Sequence, residues 1–336
     1  MTWKAARARA LTLLALALLL AGCASANQSS QSLVIYSGRS EELIAPFFED
    51  FTSETGIKVE IRYGDSAALA AQLLEEKENS PADLFLSQDA GALGAVAGQQ
   101  LLTSLSDQLL LEAPAEYIST NKDWVGITGR VRVLAYSPER VTQLPNSVDD
   151  LIDPSWNGRL GIAPTNSSFQ TFITAMIQSR GEAATESWLT ALMKNSPKLY
   201  EKNSLIVAAI DAGEIDAGLV NHYYLWEVSE ELGREVRASN HFFAPGDIGN
   251  LVNVSGAGIL ASSSKQELAE KFIKYLLSDP VQKKFVEDTH EFSLTRPELQ
   301  PAGLPKLSAI GAPRIELSDL ADLQSTQKLL LRVGAI

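Results

Sequence analysis

The 336-residue chain has one cysteine, Cys23, so no disulfide can form within it. It has three histidines, His222, His241 and His290, and no two stand at a metal-ligand spacing such as His-x-x-x-His. His241 and His290 read as surface residues; His222 adjoins a tyrosine pair. There is no Gly-rich phosphate loop, no Cys-x-x-Cys and no Gly-x-Ser-x-Gly elbow. No base–nucleophile pairing is visible, so the expected activity is binding rather than catalysis. Positive charge is scarce, with 28 Lys and Arg against 41 Asp and Glu and a net charge of -13. No basic stripe runs along the chain, which argues against nucleic acid as a partner.

The only long apolar run stands at the amino terminus. Lys4, Arg7 and Arg9 precede Leu11 to Leu20, which is too short for a comfortable membrane span. The run ends in Leu20-Ala21-Gly22-Cys23, which resembles a bacterial lipobox. Residues 1–22 therefore read as a lipoprotein signal peptide and Cys23 as the lipidated first residue. The small, polar residues 23–32 read as a tether to the membrane.

The remainder is 45% hydrophobic and 21% charged over the whole chain, ordinary globular values at a length that suggests two lobes. Leu33-Val34-Ile35-Tyr36 reads as a strand, Ser37-Gly38-Arg39-Ser40 as a turn, and Ser40 as the N-cap of a helix carrying Leu43, Ile44, Phe47, Phe48 and Phe51. Strands at 57–62 and 84–87 bracket a further helix. Alternating strands and helices predict βαβ units and a mainly parallel sheet. Ligands then sit beyond the carboxyl ends of the strands, which directs attention to the loops 37–40 and 88–91. Gly129 to Tyr136 and Leu251 to Leu260 read as segments crossing between lobes. Ser264 to Glu267 reads as a capping box. The turn Asn166-Ser167-Ser168 opens a helix with free hydroxyls and amides, which suits an anion and equally suits plain capping.

Asn221-His222-Tyr223-Tyr224 follows the buried run Ala217 to Val220. Consecutive side chains on a strand point to opposite faces, so both phenols can meet one ligand only where the strand has ended. A phenol titrates near pH 10, but a bound cation lowers such values. Two phenolates are hard anionic donors that suit Fe(III). The alternative is that both rings pack or stack on a sugar.

Val34-Ile35-Tyr36-Ser37-Gly38-Arg39, Asp83-Leu84-Phe85, Gly129-Arg130-Val131-Arg132, Trp156-Asn157-Gly158-Arg159, Gly213-Glu214-Ile215-Asp216 and Asn221-His222-Tyr223-Tyr224 together resemble the ferric-ion-binding proteins of bacterial iron ABC transporters. The resemblance implies a two-lobed α/β type II periplasmic binding protein fold joined by two crossing strands. The lobes would be 33–130 with 257–307, and 131–256 with 308–336. It implies Fe(III) held by Tyr223 and Tyr224. It implies a synergistic anion such as carbonate at Asn166, Ser167 and Ser168, with Arg130, Arg132, Asn203 and Asn221 around it. It also implies a monomer that delivers iron to a permease and its ATPase. Members that use first-lobe ligands carry histidine and glutamate where this chain has Ser40 and Gln88, with Asp89 next along as the candidate substitute. Others carry a third tyrosine where this chain has Phe169. Rival readings are a solute-binding protein for a polyamine, thiamine or phosphonate, or a secreted hydrolase.

Overall fold

A computed structural model describes residues 32–336; the signal peptide, Cys23 and nearly all of the tether lie outside them. The chain opens with β1 (Ser32–Ser37), α1 (Glu41–Thr55), β2 (Lys58–Tyr63), α2 (Ser66–Glu76), β3 (Leu84–Ser87), α3 (Ala90–Ala97) and the single turn α4 (Asp107–Leu110). It continues with β4 (Trp124–Tyr136), β5 (Leu160–Ile162), α5 (Ser167–Arg180), α6 (Glu182–Lys194), β6 (Lys198–Leu199), α7 (Asn203–Ala212), β7 (Ala217–Asn221) and α8 (Tyr224–Leu232). It ends with β8 (Ser239–His241), β9 (Val252–Ile259), α9 (Gln266–Leu277), α10 (Asp279–Asp288), β10 (Phe292–Ser293) and α11 (Leu323–Arg332).

The strands follow the order β2-β1-β3-β9-β4-β7-β5-β6, with β8 and β10 paired to β4. The sheet is mixed rather than mainly parallel. β1 runs parallel to β2 and β3, and β5 parallel to β6 and β7, but β4 and β9 are antiparallel to their neighbours. The two antiparallel strands are the long segments at the junction, which no crossover helix obliges to run parallel.

β4 is longer than its expected 129–136 and divides its pairing. Trp124 to Val131 pair with β9, and Arg132 to Tyr136 pair with β7. The strand therefore leaves one lobe and enters the other at Val131–Arg132. β9 does not cross: Val252 to Ile259 all lie against first-lobe strands. The second passage is the turn just before it, where Arg132 N–H donates to the Leu251 carbonyl at 2.9 Å. Residues 252–256 thus pair with the first lobe, not the second.

Each lobe buries its own helices. α1 turns Ile44, Phe47, Phe48 and Phe51 inward. Phe47 stacks on Phe285 at 4.0 Å between ring centres, and Phe51 meets Phe272 edge-on. The expected capping box at 264–267 does not form; α9 starts at Gln266 with no side-chain cap. Ser263 lies one residue earlier, accepts from Lys265 N–H and donates to Asp83. A capping box stands instead at Ser147 and Asp150, in the connection before β5.

The carboxyl ends of β1, β3, β5 and β7 meet at one cleft. From them come the loops 38–40, 88–89, 163–166 and the tyrosine pair. The strand-end rule for α/β sheets places the site there.

Candidate metal centre

The cleft holds a cavity of about 700 Å³. First-lobe residues Arg39, Ser40, Asp65 and Gln88 face second-lobe residues Asn166, Lys202, Tyr223, Tyr224 and Glu227 across it.

β7 ends at Asn221, and Tyr223 adopts helical angles as the cap of α8. The backbone therefore turns between the two phenols, and both rings come to one side. They stack at 4.4 Å between centres with a 28° interplanar angle, and both are buried. They also sit at the positive end of a nine-residue helix, which favours negative charge there. Burial pushes the Tyr223 phenol well above its ordinary value, and the neighbouring Tyr224 adds to this; Arg130 and Arg39 oppose it. Without a cation the Tyr223 phenol keeps its proton, so a metal must displace it.

Gln88 reaches across the cleft, and its amide donates to the Tyr223 hydroxyl at 3.2 Å. Ser40 lines the same cavity. Asp89 does not line it. It is fully buried, caps α3 at Ala92 N–H and accepts from Thr171. Burial raises its carboxyl.

The expected anion residues divide into a hub and its flanks. Asn166 caps α5 by accepting from Ser168 N–H at 3.1 Å and from Ser168 Oγ at 2.6 Å. Asn203, in the first turn of α7, donates to Asn166 at 3.2 Å and to Ser168 at 3.1 Å. Arg132 donates to Ser168 at 3.3 Å and to the Leu219 carbonyl at 3.0 Å. Asn221 is the cross-strand partner of Arg132. The helix starts of α5 and α7 thus meet directly. Ser167 Oγ, Asn221 Nδ2 and Arg132 Nε are buried with no hydrogen-bond partner among the described residues. Of this group only Asn166 lines the cavity.

Arg132 lies 5.3 Å from the ring centres of both Phe169 and Phe172. Phe169 is fully buried and turned to this guanidinium, away from the cavity. Burial brings Arg132 down to about 9, while the charge of Tyr224 works the other way. Arg130 is fully buried, with its Nε 3.7 Å from Glu291. Arg39 forks onto Glu291 at 2.6 and 2.9 Å. Burial pushes the Glu291 carboxyl up, but Arg39 and Arg130 outweigh it and hold the group below its usual range.

Arg39 and Glu291 were not singled out from sequence. Arg39 had a usable signal, since it follows the first strand at its carboxyl end. Glu291 had none, lying 252 residues away from its partner. His222 is buried; its Nδ1 accepts from Val131 N–H and its Nε2 faces the His290 carbonyl at 2.7 Å. Burial lowers its pKa to about 4, so it is neutral at pH 7. His290 and His241 are half-buried rather than on the surface: His290 stacks on Trp226, and His241 contacts the Pro145 carbonyl. Among the described residues no group of three His, Cys, Asp or Glu side chains is placed to hold a metal.

The family model for "Bacterial extracellular solute-binding protein" matches residues 33–288. The chain belongs to that family. This solute-binding protein is 33% identical over 312 residues to the "Fe(3+)-binding periplasmic protein" of Serratia marcescens, covering 92% of each chain. It is 32% identical over 323 residues to the "Major ferric iron-binding protein" of Neisseria meningitidis serogroup B, covering 95% of this chain and 97% of the relative. Its fold superposes on iron-bound HitA of Pseudomonas aeruginosa with a TM-score of 0.85 and 34% identity, over 90% of this chain and 99% of that one. The two-lobed type II architecture expected from sequence is the observed one.

Proposed function

We propose that this solute-binding protein is the extracytoplasmic receptor of an iron ABC importer. It captures Fe(III) between Tyr223 and Tyr224, closes, and delivers it to a permease driven by an ATPase. The single observation that carries the reading is the buried, stacked phenol pair at a helix start, facing a cleft between lobes. The names of the relatives in Serratia and Neisseria point to the same cargo. The protein binds rather than catalyses, and a lipid on Cys23 anchors it; the mass of the mature amino terminus checks the anchor, and a product without Cys23 would exclude it.

An anion completes the site. Two phenolates leave one positive charge of Fe(III) unbalanced, and Ser40 and Gln88 bring no charge. Arg39, Arg130 and Arg132 are buried around the pair, and the buried Glu291 carboxylate offsets one of their three positive charges. The meeting helix starts at Asn166 and Asn203 favour an anion such as carbonate, and the unpaired atoms of Ser167, Asn221 and Arg132 are donors it could satisfy.

The test is ferric titration with visible spectroscopy. The wild type should develop a phenolate-to-iron charge-transfer band. Changing Tyr223 or Tyr224 to Phe should weaken band and affinity, and the double change should abolish both. Affinity should drop in carbonate-free buffer and return with bicarbonate. A ferric complex without the band would instead assign the rings to stacking on an organic ligand.

A further inference from the structure

Glu227 also lines the cleft cavity. It lies four residues after Tyr223 and three after Tyr224 on α8, the spacings that put side chains on one helix face. All three line the same cavity. Its carboxylate is partly buried and makes no side-chain hydrogen bond or ion pair among the described residues. Burying a carboxylate without a partner is unfavourable. Burial accordingly raises its pKa to about 7, helped by Glu231 and Glu42 and opposed by Arg39 and Lys202. Its neighbours Glu230 and Glu231 differ from it in being exposed at the rim.

We propose that Glu227 is the third protein ligand of the ferric ion, supplied by the same helix as the two tyrosines. The proposal rests on the tyrosine reading above and deepens it. Carboxylate oxygen is a hard donor that matches the phenolates, and hard oxygen ligands suit hard cations. Two phenolates and one carboxylate balance the three charges of Fe(III), which leaves an anion to complete the coordination and offset the surrounding arginines rather than the iron. The first lobe then need not contribute a charged ligand, which accounts for neutral Ser40 and Gln88 at its face. Binding takes a proton from each phenol and from whatever fraction of Glu227 is protonated; the protons leave to solvent and no redox change occurs. One carboxylate three residues beyond the pair also gives a local sequence signal, Tyr-Tyr-x-x-Glu.

The experiment compares wild type with Glu227→Gln, Glu227→Asp and the control Glu235→Gln, an exposed residue outside the cavity, titrated with ferric nitrilotriacetate in bicarbonate buffer. Changes to groups that merely orient a ligand cost about 10- to 100-fold in affinity. Loss of a ligand should cost Glu227→Gln about a hundredfold or more. Its charge-transfer band should persist, because the phenolates remain. The band should move to longer wavelength, because iron that has lost an anionic donor accepts an electron more readily. Glu227→Asp keeps the charge but lacks one methylene of reach, so it should also bind weakly. Glu235→Gln should bind like wild type. Thermal unfolding of the iron-free Gln variant should come no earlier than that of wild type, separating loss of a ligand from loss of fold. Wild-type affinity in Glu227→Gln would overturn the assignment, as would full affinity in Glu227→Asp, since charge alone would then suffice. A wild-type complex without the band would remove the tyrosine reading first and this one with it; a normal band with an indifferent Glu227 removes this one alone.

Discussion

At the scale of single residues the site depends on one amide. Gln88 holds the Tyr223 oxygen from the opposite lobe at 3.2 Å but brings no charge to it. Glutamate has the same length and shape. Gln88→Glu should place a carboxylate oxygen where the amide now stands and so add an anionic ligand from the first lobe. Ferric affinity should rise by about tenfold or more, on the scale of 1.4 kcal/mol per tenfold, and the bicarbonate requirement should weaken. Unchanged affinity and an unchanged anion requirement would mean that residue 88 does not reach the iron. This scale is also where the sequence was most uneven. The tyrosine pair, Asn166, Ser168 and Asn203 were legible because each follows a strand or opens a helix. Glu227 was not singled out from sequence, since its place three residues beyond the pair does not show that its side chain lacks a partner in the fold. Asp89, the candidate substitute next to Gln88, does not reach the cleft: the strand end sends Gln88 there and Asp89 back to cap α3.

At the scale of elements, α8 has to be held so that its first turn faces the cleft. Close approach behind β7 helps. A Cβ on Gly218 would lie 2.3 Å from Ile206 and 2.8 Å from the Gly161 carbonyl, so only glycine lets β5, β7 and α7 pack so closely. At the other end of α8, Asp211 on α7 takes a fork from Arg234 at 2.9 and 2.6 Å and the Arg237 backbone N–H at 2.8 Å. The Arg234 hydrogen bonds hold the Asp211 carboxyl far below the usual carboxylate range. A folded-state pKa below the unfolded one adds stability that is fully present above about pH 4 and is lost as pH falls further. Asp211→Asn should therefore lower the unfolding temperature at pH 7 by several degrees, and the deficit should shrink progressively below about pH 4. A deficit that stays constant with pH would assign the effect to packing instead. The elements themselves were legible where periodicity or a strand–turn–helix change marks them. The strand directions were not, because alternating hydrophobicity reports a face and says nothing about parallel or antiparallel neighbours.

At the scale of the molecule the two lobes communicate through few links. β4 passes between them at Val131–Arg132, and the chain returns through the turn before Val252. The carboxyl-terminal segment makes a third link. A Cβ on Gly94 of α3 would lie 2.8 Å from Ala321, and Thr326 of α11 meets Thr174 of α5 at 2.7 Å. This tail was expected to belong to the second lobe alone, yet it touches helices from both. Its reach could not be read from sequence, since an apolar helix face does not name its partner. Across the cleft Gln88 donates to Tyr223, Thr171 donates to Asp89, and His222 Nε2 faces the His290 carbonyl. Few links of this kind permit rigid-body closure about the crossing segments. The exposed rim formed by Glu41, Glu42, Asp65, Glu230 and Glu231 draws cations toward the mouth. It also sets carboxylates from the two lobes against each other until a cation arrives. On the proposed function, iron would then supply bonds to the second lobe and, through an anion and Arg39, an attraction to the first. Small-angle scattering should accordingly show a smaller radius of gyration with saturating iron and bicarbonate than without. The iron-free radius should also fall as salt is raised, because screening weakens repulsion across the rim. Equal radii in all three conditions would mean that the tail holds the lobes at one fixed angle, and that cargo enters and leaves without domain motion.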